Sequence, residues 1–181
     1  LKGFHYLLQA MQEILQNCPE AHIKVAGISV LGVNGIKSRI KIPAYGKYLR
    51  RLILKNRLEG KVRVLGNLSA EEMKREYLSA QIFVCPSAVE NSPNSVAEGQ
   101  LLGVPVAASR TGGIPDVVKD GVSGLLFEKG NVHELAACVS RILTDKQLAK
   151  ELSASERETA AKLYNGENNY QKLIEIYQSI E

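Results

Sequence analysis

The segment from Val84 to Glu98 limits the possible folds of this chain more than any other. A short apolar run ends at Cys85, a turn containing two prolines follows, and helix-compatible residues continue through a carboxylate at Glu98. This pattern predicts a buried strand, a polar turn and a helix. In an open α/β sheet, ligands bind beyond the carboxyl ends of the strands. We therefore expect the functional site at this junction.

The start of the predicted helix has the features of an anion site. Pro93 suits the first helical position, and Ser92 before it suits the capping position. The backbone amides of Asn94, Ser95 and Val96 would then be free at the positive end of the helix dipole. The sequence therefore predicts that these amides bind phosphate.

Two carboxylates flank this anion site. Glu90 precedes the helix, whereas Glu98 lies about one and a half turns inside it, where it cannot cap the first amides. Either carboxylate can accept hydrogen bonds from hydroxyl groups. A nucleoside diphosphate sugar offers phosphates to the amides and hydroxyls to both carboxylates. The alternative is that the glutamates only form salt bridges on a helix surface.

Strand and helix patterns alternate along the rest of the chain. Besides the helix that ends the junction, helical spacing predicts helices over residues 4–15 and 45–58, from residue 69, over 114–119 and in two or more segments from 131 to the end. Strands are predicted over residues 22–26, 62–64, 82–85, 104–108 and 124–127. This alternation is typical of an α/β fold with a doubly wound parallel sheet. The order of the strands does not follow from one sequence.

Helical spacing also predicts which side chains face the core. Those of the second helix are Tyr45, Tyr48, Leu49, Leu52 and Ile53, and those of the third are Met73, Tyr77 and Leu78. Between the first strand and the second helix, the predicted loop over 28–44 is longer than most connections.

Composition excludes several classes of protein. The 181 residues suit one domain, and no apolar run approaches the ~20 residues that a membrane span needs. The three cysteines lack Cys-x-x-Cys spacing, which favours reduced thiols and a cytoplasmic location. The three histidines lie far apart in the sequence, so no metal site is predicted.

Basic residues are concentrated between Lys37 and Arg63. This segment has ten lysines and arginines and the single acid Glu59, and it accounts for the net charge of +4. The simplest interpretation is the solvated face of a helix. The alternative is a peripheral contact with an anionic membrane or a polyanionic acceptor. Nucleic acid is not expected, because no aromatic residues or known binding motif accompany the charge.

The motifs around the junction resemble the donor-binding half of the retaining GT-B glycosyltransferases, the large group 1 class. The shared features are a Pro-Ser pair, seven residues between Glu90 and Glu98, Leu-Gly-Val-Pro-Val-Ala-Ala-Ser at 102–109 and Gly-Gly-Ile-Pro at 112–115. The match is strong from Asn67 to about Asn131. The resemblance implies a Rossmann-like domain, one half of a GT-B fold, that binds a nucleotide sugar over residues 1–181.

The resemblance also implies an activity. It is transfer of a sugar from a nucleoside diphosphate to the hydroxyl of a saccharide or lipid-linked acceptor, with retention and, in most such enzymes, without a metal or other cofactor. Cell-surface polysaccharide or glycolipid synthesis is the expected context. Glu90 is the catalytic candidate and would hold hydroxyls of the transferred sugar, while Glu98 would hold the ribose.

Further donor-binding residues follow from the same resemblance. Lys2, in a Lys-Gly pair, would reach the pyrophosphate. The others are Ser92, Asn94, Ser95 and Val96 at the helix start, with Asn67 and Leu68 facing the nucleobase. One departure concerns residues 91–94, which are Asn-Ser-Pro-Asn where most relatives have Gly-Phe-Gly-Leu. Because Pro93 has no N–H to offer, the resemblance leaves the identity of the sugar open.

The chain begins at Leu1 directly on a helix pattern. In the resembled family a strand ending in a basic residue precedes this helix, and an acceptor-binding domain precedes the strand. We therefore expect a fragment that is inactive alone, with the terminal helix over 170–177 packing toward the acceptor domain. Two alternatives remain, a sugar-nucleotide epimerase or phosphorylase of the same fold and a non-catalytic nucleotide-binding module.

Overall fold

The computed structural model describes residues 2–27 and 43–180. Its elements, in chain order, are α1 (Phe4–Asn17), β1 (Ile23–Ala26), α2 (Ala44–Lys55), β2 (Val62–Gly66), α3 (Ala70–Ser79), β3 (Phe83–Cys85), α4 (Asn94–Leu102), β4 (Val106–Arg110), α5 (Ile114–Val117), β5 (Leu125–Glu128), α6 (Val132–Thr144), α7 (Lys146–Leu163) and α8 (Gly166–Gln178). Strands and helices alternate, and all strand pairs among the described residues are parallel. The predicted Rossmann-like α/β class is confirmed.

The described strands form two sheets. One pairs β1 with β2, and the other has the order β3-β4-β5. In the second sheet Cys85 lies opposite Ala108, and Ser109 lies opposite Phe127. Because these strands are parallel, the turns that follow β3 and β4 emerge side by side at the same edge. This arrangement places the predicted junction against the end of β4.

Two apolar clusters hold the layers together. The larger packs α1 against α6 and includes the fully buried Leu8, Ile14 and Leu135. The smaller lies under the start of α4, where Val96 and Ile114 are fully buried beside β3 and β4. Each such side chain stabilises the fold by about 1.5–3 kcal/mol. The start of α4 is therefore anchored directly on the sheet.

The predicted core faces of α2 and α3 are partly wrong. Leu49 and Leu52 are buried as expected, but Tyr45 and Tyr48 are 39% and 40% exposed. The Tyr45 hydroxyl lies 3.1 Å from Nδ1 of His5, so a polar contact at the surface replaces burial. In α3, Tyr77 is buried and Leu78 is exposed. Both helices bury a narrower stripe than helical spacing predicts, because each is covered on one side only.

Element boundaries differ slightly from the prediction. The strand expected from Val104 begins at Val106, because Pro105 has no N–H and only its carbonyl joins the sheet, accepting from Phe83. The short helix expected to reach Lys119 ends at Val117. Residues 28–42, which contain most of the predicted long loop and the first part of the basic segment, lie outside the described residues.

Candidate functional site

The turn after β3 is fixed to the end of β4 by hydrogen bonds. The Ser109 hydroxyl donates to the Ser87 carbonyl at 2.6 Å, and the Gly113 amide donates to the Asn91 carbonyl at 3.1 Å. Ser87 and Ser109 are both buried. The backbone on either side of Glu90 is therefore held by the neighbouring strand, which restricts where its carboxylate can lie.

Gly112 packs directly against the backbone of Glu90. Its φ is 53°, in the left-handed region, and a Cβ built at this position would overlap the Glu90 carbonyl oxygen. A glycine is therefore required both by the backbone conformation and by the contact. The two glycines of the sequence motif, Gly112 and Gly113, therefore pack against the backbone of Glu90 and Asn91.

Lys2 and Glu90 form an ion pair. Nζ of Lys2 lies 2.9 and 2.8 Å from Oε1 and Oε2 of Glu90. Burial alone would raise the pKa of Glu90, but hydrogen bonds from the Lys2 and Ser87 side chains outweigh it and hold the pKa below its ordinary value. The carboxylate is thus ionised at neutral pH. The structure brings together the predicted catalytic residue and the predicted pyrophosphate ligand.

The backbone before α1 explains this placement of Lys2. Gly3 has φ 66°, and a Cβ there would overlap the carbonyl oxygen of Pro86. The chain therefore enters α1 in contact with the turn that follows β3. This contact carries Lys2 to Glu90, which is 88 positions away in the sequence.

The start of α4 differs from the prediction in two respects. The helix begins at Asn94 with Pro93 as its N-cap, and no side chain caps it, so the expected capping role of Ser92 is wrong. Pro93 has ψ 97° and its ring is buried, which leaves the helix to start one residue later. The Val96 amide donates to the Pro93 carbonyl at 2.9 Å and is not free.

The candidate anion site therefore has fewer free amides than the sequence predicts. Within the described part of the chain, the amides of Asn94 and Ser95 have no hydrogen-bond partner. They lie at the positive end of the α4 dipole and next in sequence to the turn that carries Glu90. Two amides remain available to a phosphate.

Glu98 faces a groove between α3 and α4. The groove has a volume of about 220 Å³ and is lined by Ala70, Met73, Lys74, Tyr77, Glu98 and Leu102. Among the residues that the structure describes, Glu98 forms no ion pair with a lysine or arginine. Its polar contact is the Tyr77 hydroxyl, 3.3 Å from Oε2. The salt-bridge explanation of Glu98 is therefore not what the structure shows.

The predicted nucleobase residues precede this groove in the sequence and are not among the residues that line it. Asn67 is exposed and Leu68 is half-buried, in the turn between β2 and α3. Ser69 then caps α3 in a capping box with Glu72. Because Ala70 already lines the groove, Leu68 lies two residues from it.

The sequence did not reveal how the far end of α4 is held. Two side chains of α7 reach across to it: the Ser153 hydroxyl donates to the Gly103 carbonyl at 2.7 Å, and Arg157 donates to the Leu102 carbonyl at 3.0 Å. A third side chain of α7, Glu156, accepts from the Val106 amide at the start of β4, at 2.8 Å. Glu156 is fully buried, and desolvation raises its pKa to about 8. The available signal was the spacing of Leu152, Glu156 and Ala160, which places Glu156 on the apolar face of α7.

Residues 2–27 and 43–180 contain no cluster of three histidine, cysteine, aspartate or glutamate side chains suited to a metal ion. A search of the same residues for a helix of the length and hydrophobicity needed to cross a membrane also finds none.

The fold is a Rossmann-like α/β domain, and its candidate site joins two free amides at a helix start to two carboxylates, one before the helix and one within it. Comparison with known proteins specifies this class further. The family model described as glycosyl transferases group 1 matches residues 1–159. The chain belongs to the group 1 glycosyltransferases.

Similar proteins support the same assignment. The chain is 31% identical to a D-inositol 3-phosphate glycosyltransferase of Corynebacterium urealyticum over 99% of its own length and 41% of that protein. It shares 26% identity and a TM-score of 0.79 with sucrose-phosphate synthase of Thermosynechococcus elongatus, over 99% of this chain and 42% of the synthase. The Anabaena protein HepE, solved in complex with UDP, has a TM-score of 0.81 at 23% identity, over 98% and 45% of the two chains. The chain thus spans less than half the length of these relatives.

Proposed function

We propose that this chain is the donor-binding domain of a retaining glycosyltransferase and binds a nucleoside diphosphate sugar. The observation that supports this most strongly is the Lys2–Glu90 ion pair at the turn that leads into the two free amides of α4. A diphosphate and a sugar hydroxyl would meet their respective partners at this one place. HepE, the structural relative described above, has been solved with UDP and with UDP-glucose.

Each group has a role in the proposed reaction. The bond between the anomeric carbon and the diphosphate oxygen breaks, a bond from the anomeric carbon to the acceptor oxygen forms, and the proton of the acceptor hydroxyl passes to the released diphosphate. Negative charge then grows on the leaving diphosphate, where Lys2 and the amides of Asn94 and Ser95 stabilise it without a metal. Glu90 holds hydroxyls of the transferred sugar, and Glu98 holds the ribose.

The acceptor side belongs to the whole protein. In α8, Tyr170, Leu173 and Tyr177 are 56%, 48% and 64% exposed at helical spacing, and no residue of this helix is buried. We propose that this apolar stripe contacts an acceptor-binding domain in a longer protein. The acceptor would be a saccharide or a lipid-linked sugar at the cytoplasmic side of a membrane, in cell-surface polysaccharide or glycolipid synthesis.

A second surface favours peripheral membrane contact. Lys47, Arg51 and Lys55 are exposed on the outer face of α2. Within residues 2–27 and 43–180, none of the three forms an ion pair with an acidic side chain. Leu54, which is 62% exposed, lies on the same face. Cations around an exposed leucine suit an anionic lipid surface better than they suit plain solvent.

The proposed donor site is tested by calorimetry. The 181-residue chain is titrated with UDP, GDP, CDP and ADP and with the matching nucleoside monophosphates. We expect one diphosphate to bind clearly more tightly than its monophosphate. Equal binding of both would favour a non-catalytic nucleotide-binding module. In the full-length enzyme, formation of an epimer from the donor alone would favour the epimerase alternative.

A further inference from the structure

We propose that Tyr77 is a positioning residue for nucleotide recognition, because its hydroxyl fixes the Glu98 carboxylate and the first turn of α4 relative to each other. This inference rests on the proposed function, in which Glu98 binds the ribose. The spacing of α3 predicts Tyr77 only as a core residue.

The Tyr77 hydroxyl contacts two acceptors on α4. It lies 2.9 Å from the Ser95 carbonyl oxygen and 3.3 Å from Oε2 of Glu98. A hydroxyl has a single proton, so the shorter contact is the stronger donation and the longer one is shared. The residue whose amide faces the proposed phosphate site and the carboxylate of the proposed ribose site are therefore bonded to the same oxygen.

The ring of Tyr77 is itself held rigidly. It is 7% exposed and meets the ring of Phe83 edge-on, with centroids 5.4 Å apart. Phe83 is the first residue of β3, the strand that leads to Glu90. Burial, followed by the charge of Glu98, raises the pKa of Tyr77, so the hydroxyl stays protonated and remains a donor. Through Tyr77, the position of the Glu98 carboxylate is therefore fixed relative to β3 as well as to its own helix.

The contact with Tyr77 matters because the Glu98 side chain is otherwise exposed to solvent. A solvated glutamate samples many rotamers, and ordering it on binding costs conformational entropy. A carboxylate already oriented by Tyr77 accepts ribose hydroxyls with less of that cost. The groove beside it is open to the ligand along Ala70 and Met73. Tyr77 is therefore expected to affect discrimination of the sugar hydroxyls more than binding of the phosphates.

The experiment measures binding of the preferred nucleoside diphosphate and of its 2′-deoxy and 3′-deoxy forms. The proteins are the wild type, Tyr77→Phe, Glu98→Gln and the double variant. Tyr164→Phe, at a half-buried tyrosine near the end of α7, is the matched control. We expect the wild type to prefer the ribonucleotide by about tenfold over at least one deoxy form. Tyr77→Phe should lose most of this preference, Glu98→Gln should lose it, and the double variant should resemble Glu98→Gln.

Several results would overturn the inference. They are an unchanged preference in Tyr77→Phe, an equal loss for the ribo and deoxy ligands, and independent effects in the double variant. Binding by the wild type to none of the four diphosphates would instead overturn the proposed function. In that case thermal unfolding tests the Tyr77–Glu98 interaction on its own. If the loss of Tm in the double variant is smaller than the sum of the two single losses, the interaction is supported; if the losses add, it is rejected.

Discussion

Lys2 and Glu90 share one ion pair but differ sharply in exposure: the Lys2 side chain is 76% exposed and that of Glu90 is 9% exposed. The glutamate is held by the turn around it, whereas the lysine reaches it from the solvent side. Lys2 can therefore turn toward a diphosphate while Glu90 stays in place. The two residues are consequently expected to affect different steps, binding for Lys2 and turnover for Glu90.

Replacing Glu90 by glutamine should reduce turnover and leave nucleotide affinity almost unchanged. In the full-length enzyme we expect kcat to fall about 10²-fold, which corresponds to a rise of about 2.7 kcal/mol in the activation free energy. The reason is that the neutral amide accepts weaker hydrogen bonds from the sugar in the transition state than the carboxylate does. Glu158→Gln, at an exposed glutamate paired with Lys162, is the control. A stable Glu90→Gln protein with a kcat near wild type would remove Glu90 from the mechanism, and joint loss of folding and binding would assign it to the turn.

Replacing Lys2 by alanine should weaken binding of the diphosphate more than that of the monophosphate. A charge-assisted bond to phosphate contributes about 1.5–3 kcal/mol, so we expect a loss of about tenfold to a hundredfold for the diphosphate. Calorimetry with both ligands measures the difference, and Lys162→Ala serves as the control for loss of an exposed lysine. Equal losses for the two ligands would show that Lys2 does not contact the terminal phosphate.

Adding a methyl group to Gly112 should displace Glu90. In Gly112→Ala the new Cβ overlaps the Glu90 carbonyl, so either the turn moves or the fold loses stability. Gly121→Ala is a matched control, because Gly121 also has a positive φ, 73°, but its Cβ would meet no atom of the described residues within 4 Å. Both variants bear the backbone strain of about 1–3 kcal/mol. Only Gly112→Ala should also weaken nucleotide-sugar binding, measured by calorimetry; equal effects would mean that the contact does not position Glu90.

The basic face of α2 should bind anionic vesicles. Each basic residue near such a surface contributes about 1 kcal/mol to binding. The triple change of Lys47, Arg51 and Lys55 to glutamine should therefore weaken vesicle binding by about tenfold to a hundredfold. A control with Lys146, Lys150 and Lys162 changed to glutamine removes the same charge from α7. Sedimentation with vesicles containing phosphatidylserine gives the readout. If both triple variants lose binding equally, net charge and not the α2 face is responsible.

Local sequence patterns predicted much of this fold but few of its long-range contacts. Helical spacing located α1 and α6, and the pattern from Val84 to Glu98 located the junction of β3 with α4, where the candidate site lies. Spacing did not show that Tyr45 stays at the surface or that Pro93 delays the start of α4. The contact of Gly112 with Glu90 joins residues on different turns, and no periodicity encodes it. The motif resemblance predicted Lys2 and Glu90 as parts of one site, whereas the contacts that hold them in place are visible only in the structure.

Glu156 should make the stability of the fold depend on pH in the direction opposite to that of an ordinary ion-paired carboxylate. Its pKa is about 8 in the folded chain, because desolvation of the buried carboxyl outweighs the one hydrogen bond that it accepts, from the Val106 amide, and its Oε2 has no partner among the described residues. Below pH 4.5 the carboxyl is protonated in both the folded and the unfolded chain, and it has no effect on the pH dependence.

Between pH 4.5 and pH 8 the unfolded chain releases the proton of Glu156 while the folded chain retains it. The free energy of unfolding therefore falls as the pH rises, by at most about 1.4 kcal/mol per pH unit, and the effect levels off above pH 8. Glu156→Gln keeps an oxygen for the Val106 amide but cannot ionise, so the variant should gain stability relative to the wild type from pH 5 to pH 8. Urea unfolding at both pH values measures this, with Glu151→Gln, at an exposed position of α7, as the control. A constant difference between Glu156→Gln and the wild type across this range would show that the folded carboxyl is already ionised.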